Sequence, residues 1–152
     1  MTTRICALLV VTVLLAVACS PAVSGSPSPA DVPLVRITTR GGECPRFPCE
    51  HVIVIARDGR VVELSPRNVE IGVVPQAAIQ TLDQTLRTTD FAAMRSRPFV
   101  GECPVNFDGQ EVIYEFGAAG GVERIASCET EIDPLHPAFG AVREVLEAAG
   151  VI

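Results

Sequence analysis

Lysine is absent from this chain, and its twelve basic residues, all arginine, are outnumbered by eighteen carboxylates. The formal net charge is −6, and the arginines form no stripe or cluster. That balance excludes a nucleic-acid-binding surface, which needs a concentrated basic footprint. It equally excludes polybasic attraction to anionic lipid. Histidine is nearly absent: only His51 and His136 occur. A Ser–His–Asp system would need one of them beside a serine, and Ser65, Ser96 and Ser127 stand in no G-x-S-x-G setting. His51 reads instead as a half-exposed strand residue and His136 as the residue that leads into a helix. The carboxylates are scattered, so no glycosidase pair can be selected from them. Asn106–Glu111 lacks the D-x-D-x-D-G ladder of a calcium loop, and turn chemistry accounts for Asp108-Gly109. The sequence therefore nominates no catalytic residue, no metal site and no cofactor.

Long apolar runs are missing too, with one exception at the start. Ile5–Ala18 is apolar apart from Thr12 and follows a short segment carrying Arg4. Fourteen helical residues span about 21 Å, short of the roughly 30 Å hydrocarbon core, so the run reads as a signal peptide over residues 1–18 rather than a transmembrane helix. It ends Leu15-Ala16-Val17-Ala18-Cys19-Ser20. This resembles the bacterial lipobox, although Ala16 occupies the place where leucine is usual. The resemblance implies diacylation of Cys19, cleavage before it, and a domain held on the outer side of the cell membrane. Ser20–Asp31, rich in serine and proline, reads as a tether, so that residues 19–31 form the lipidated linker and 32–152 a single globular domain.

Within the domain, Val32–Thr39 alternates as a strand, and Val52-Ile53-Val54-Ile55 is apolar on both faces, as in a central strand. Asp58-Gly59 marks a hairpin turn into a partner strand over Arg60–Leu64. Val69–Ile71 is a candidate short extra strand. Pro75 opens a helix with Ile79, Leu82 and Leu86 on one side, and Asp90 suits the cap of a short helix over Phe91–Arg95. Glu111–Phe116 and Val122–Ser127 form a second hairpin around Gly117–Gly121. Asp133 and Pro134 open a last helical segment with Phe139, Val142, Leu146 and Ala149 as its stripe. The expectation is an α+β fold: an antiparallel sheet of about five strands with two main helices packed on one face, in the order β-ββ-α-ββ-α. The two hairpin-then-helix halves echo each other without a convincing repeat.

Four cysteines fall in the domain, and an even number outside the membrane reads as disulfides. Three pairings are possible. The tight spacing of the first two favours Cys44–Cys49, and the second hairpin favours Cys103–Cys128, if Phe116 faces Val122 and Gln110 faces Cys128. A metal site from Cys44, Cys49 and His51 lacks a fourth ligand and would oxidise outside the cytoplasm. A redox-active pair would want C-x-x-C, which is absent. The bracketed loop Pro45-Arg46-Phe47-Pro48 presents Arg46 and Phe47, interface-type side chains on a segment ordered by prolines.

Gly42-Glu43-Cys44-Pro45, followed by Val52–Ile55 and Asp58-Gly59-Arg60-Val61, is similar to a family of exported bacterial domains with a Gly-x-Cys-Pro loop, a strand and an Asp-Gly turn. The resemblance implies a fold layout and an envelope setting, and no functional residues. The sequence thus points to a non-enzymatic lipoprotein, partnered by the membrane through Cys19 and by an envelope protein or wall component. The alternatives are a protease-inhibitor-like module presenting the Cys44–Cys49 loop and an envelope enzyme with an unrecognised site.

Overall fold

The computed structural model describes residues 32–43 and 49–152. They form one six-stranded antiparallel sheet with helices on one face. The strands are β1 (Val35–Gly41), β2 (Glu50–Ile55), β3 (Arg60–Ser65), β4 (Val69–Val73), β5 (Gln110–Ala118) and β6 (Gly121–Ala126), in the spatial order β4-β3-β2-β1-β5-β6. The helices are α1 (Gln76–Thr88), the short α2 (Phe91–Arg95) and α3 (Pro137–Ala148). A single 3-10 turn, Pro104–Phe107, precedes β5.

Strand alternation decides the layers. Val35 and Ile37 of β1, Ile53 and Ile55 of β2, Val61 of β3 and Phe116 of β5 turn to the helix side, where they join Ile79, Leu82 and Leu86 of α1 and Phe139, Val142 and Val145 of α3 in one core. Phe91, Tyr114, Phe116 and Phe139 form a continuous aromatic cluster, with ring centroids 5.2 Å apart for Phe91–Phe116 and 4.9 Å for Tyr114–Phe139. The other face of β1 and β5 carries Arg36, Arg40, Glu111 and Glu115 as cross-strand neighbours. β2 lies inside the sheet, as its doubly apolar pattern requires, and Val52 is buried on the face away from the helices.

Two glycines permit close approaches. Gly59 sits at φ +91 in the β2–β3 turn, a conformation that a side chain resists. A Cβ on Gly117 would meet the Pro33 carbonyl at 2.3 Å, so only glycine lets the incoming chain lie against β5.

The α+β layout agrees with expectation, and the order differs. There are six strands rather than about five, and the sequence of elements is β-ββ-β-αα-ββ-α. β4 is an edge strand with little burial on either face, so it carries almost no alternating signal. The second hairpin is tighter than expected: β5 runs on to Ala118, which pairs with Gly121. Phe116 consequently faces Glu123, not Val122, and Ile125 faces Tyr114. The slip of one residue puts Ile125 in the core, which is what fixes the register. α3 starts at Pro137, later than Asp133. The two hairpins run in the same direction on opposite sides of β1.

Candidate functional site

An apolar concavity lies beside α3 on the helix side. It has a volume of about 250 Å³ and is lined by Tyr114, Ile132, Pro134, Phe139, Leu146 and Ile152, with the exposed Arg143. β5 supplies Tyr114, the segment before α3 supplies Ile132 and Pro134, and α3 supplies the remainder except Ile152. Tyr114 is the one tyrosine of the chain. Burial pushes its phenol above the usual range, and its hydroxyl makes no hydrogen bond among the described residues. The groove therefore offers an apolar wall with one phenolic hydrogen-bonding group.

A wider depression of about 470 Å³ lies on the opposite face, where the chain enters β1. Val32, Pro33, Val54 and Leu64 line it together with Arg36, Arg57 and Arg60. Its arginines are occupied. Arg57 donates to the Val32 carbonyl at 3.2 Å, to the Gly117 carbonyl at 2.8 Å and to Asp83 of α1 at 2.9 Å. Arg60 holds Asp58 at 2.7 Å, and Arg36 lies 3.6 Å from Glu115. Every arginine among the described residues has a carboxylate within 4.0 Å. Glu43, Glu50, Glu70, Glu102, Glu131 and Glu144 have no such partner among those residues. Among the described residues the surplus negative charge is thus carried by solvated carboxylates, and each arginine already has a carboxylate beside it.

Cys103 and Cys128 are joined, with Cα atoms 5.1 Å apart, as the hairpin argument expects. The bridge ties the start of the 3-10 turn to the segment beyond β6. Cys49 is also disulfide-bonded. Its expected partner Cys44 lies outside the described residues, as do Arg46, Phe47 and Cys19. Gly-Glu-Cys-Pro occurs twice, at Gly42–Pro45 and Gly101–Pro104, each time ahead of a hairpin.

The histidines and serines serve the scaffold. His136 caps α3, its Nδ1 accepting from the Ala138 amide at 3.2 Å. His51 sits half-exposed on β2, with Nε2 3.4 Å from Glu63 Oε1. Glu63 is covered by that imidazole and by Arg67, and the Arg67 hydrogen bond, aided by His51, holds its carboxyl below the usual range. Ser65 donates to the Glu50 carbonyl, Ser96 to the Ala93 carbonyl, and Ser127 accepts from the Val112 amide. Asp108 closes the 3-10 turn in the left-handed region at φ +60, with Gly109 bonded back to Pro104, which is turn chemistry. Among the described residues no three His, Cys, Asp or Glu side chains converge on a metal position, and no helix is long and apolar enough to cross a membrane. No family model, curated protein or solved structure matches the chain.

Proposed function

We propose that this chain is a membrane-anchored extracytoplasmic binding module of the cell envelope, non-enzymatic, held by lipid on Cys19. The observation that carries the setting is the oxidised state of its cysteines. The Cys103–Cys128 bridge and the disulfide at Cys49 are of the kind that persist outside the cytoplasm. The lipobox-like Leu15–Ser20 and the Ser/Pro-rich stretch after it support a membrane anchor for that domain. Binding rather than catalysis is supported by the use of His136, Ser65, Ser96 and Ser127 in backbone hydrogen bonds. It is supported also by the groove beside α3, whose size suits one or two apolar side chains of a partner.

The anchor is tested directly. Cells given a clickable fatty acid should label the wild-type chain, and Cys19→Ala should abolish the label and accumulate precursor. Normal processing and membrane retention of the variant would overturn the lipoprotein reading. In the same preparation the mature wild-type protein should show no free thiol at Cys44, Cys49, Cys103 or Cys128, and unreduced peptide maps should contain 44–49 and 103–128 links.

A further inference from the structure

The groove beside α3 contains two polar groups with hydrogen-bonding capacity left over. Tyr114 lines it, and the Tyr114 hydroxyl has no partner among the described residues. No buried side-chain oxygen or nitrogen among those residues lacks a partner, so this hydroxyl stands open to solvent. Arg143 lines the same cavity. Its one ion pair among the described residues is with Glu147 at 3.7 Å, beyond hydrogen-bond distance, and both side chains are more than half exposed. An exposed pair one helical turn apart holds a guanidinium only loosely. Arg57, by contrast, donates to two carbonyls and to Asp83.

Size and walls set what can enter. Ile132, Pro134, Phe139, Val142, Leu146 and Ile152 make the rest of the lining apolar. At about 30 Å³ for each water-sized group, the 250 Å³ cavity holds about eight non-hydrogen atoms. The side-chain carbons of one leucine or isoleucine, with its Cα and a carboxylate, come to about that number. A cavity of this size is only a few ångströms across, so a carboxylate at its rim is near both the guanidinium and the phenol.

We propose that the groove captures the C-terminal residue of a partner polypeptide, a leucine, isoleucine or valine whose side chain fills the apolar cavity and whose carboxylate meets Arg143 and Tyr114. Charge selects the end group. A carboxylate accepts hydrogen bonds from a guanidinium and a phenol alike, and the bond to the guanidinium is charge-assisted. An ammonium would face Arg143. A dianion such as a phosphate would bring two charges to one guanidinium, with Glu147 beside it and Asp133 between Ile132 and Pro134 in the chain. A terminal carboxylate on an apolar residue supplies one negative charge and no more, the mode of recognition used wherever a chain end is held by its own carboxylate. This deepens the groove reading above and rests on it, since it names the part of the partner that enters.

The chain supplies its own reporter. Tyr114 is the one tyrosine and tryptophan is absent, so ultraviolet emission reads the groove directly. The test titrates the purified full-length protein, in detergent micelles, with an acetylated Gly-Ser-Gly-Ser-Leu peptide as the free acid and as the C-terminal amide. The acid should change Tyr114 emission saturably, with a Kd on the order of 0.1–1 mM, and the amide should bind about tenfold more weakly. Arg143→Gln, which keeps a good helix former at an exposed site, should abolish most of that preference with circular dichroism unchanged. Equal binding of acid and amide overturns C-terminal capture and leaves the groove as a site for apolar side chains. No response to either peptide refutes both readings of the groove. 4-Methylpentanoate bound as tightly as the peptide overturns the proposal in favour of a free acid. An emission change that follows protein concentration without peptide overturns it in favour of a second copy.

Discussion

At the scale of single residues, a side chain that no motif announces joins three parts of the described structure. Arg57 joins the chain's arrival at Val32, the end of β5 at Gly117 and the middle of α1 at Asp83 with one guanidinium. Arg57→Ala should therefore lower unfolding free energy by about 2–3 kcal/mol, since it removes charge-assisted bonds and leaves two carbonyls and a carboxylate to find other partners. Urea denaturation measures this, and a change under 0.5 kcal/mol, the level of an ordinary surface substitution, would show the hub to be ornamental. Acid should act through the same class of contact. Burial tends to raise the Asp83 carboxyl, yet hydrogen bonds from Arg87 and Arg57 outweigh it and hold the group below its ordinary value; Arg67 does the same for Glu63. A depressed folded pKa gives stability that is fully present above the unfolded value, near 3.9 for Asp and 4.3 for Glu, and is lost as pH falls through the folded value. The unfolding midpoint should thus be insensitive to these two groups above about pH 5 and decline below about pH 4. Glu63→Gln/Asp83→Asn should be less stable at pH 7 and show a shallower acid decline; a parallel profile would refute the assignment.

At the scale of elements, legibility followed burial on one face. α1 and the α3 stripe were readable because Ile79, Leu82, Leu86, Phe139, Val142 and Leu146 recur at helical spacing and all meet the sheet. α2, only five residues long, was readable through Asp90, whose carboxylate accepts from the Ala93 amide at 2.9 Å. β4 was ambiguous because an exposed edge strand needs no alternation, and the β5–β6 register was missed because Ala118 and Gly121 look like turn residues yet pair. The groove could not be read at all: Tyr114, Ile132, Phe139 and Ile152 come from four places in the chain and share no local pattern. The Cys103–Cys128 bridge does not hang on the β5–β6 register, because Cys103 precedes the 3-10 turn and Cys128 follows β6, both outside the paired residues. It encloses a separation of 25 residues. Chain entropy alone assigns such a loop about 3.5 kcal/mol. Cys103→Ser/Cys128→Ser should lower stability by about 2–3 kcal/mol in urea melts while the amide-exchange pattern of α1 and β1–β3 stays native-like. A variant as stable as wild type would mean that the unfolded chain is already constrained there.

At the scale of the whole molecule, the strand that the proposed anchor leads into is not at an edge. β1 holds the centre, paired with β2 through six residues and with β5 through seven. Consider the domain under mechanical load, pulled against the proposed lipid anchor. Tension then arrives at Val32 and runs along the axis of β1. An edge strand pulled from its end can be shed by breaking one side only. A central strand drawn lengthwise must slide against two neighbours at once, so both ladders bear the force in shear, with Arg57 gripping the Val32 carbonyl ahead of them. The proposed leash would thus join the domain at a strand whose extraction breaks two ladders at once.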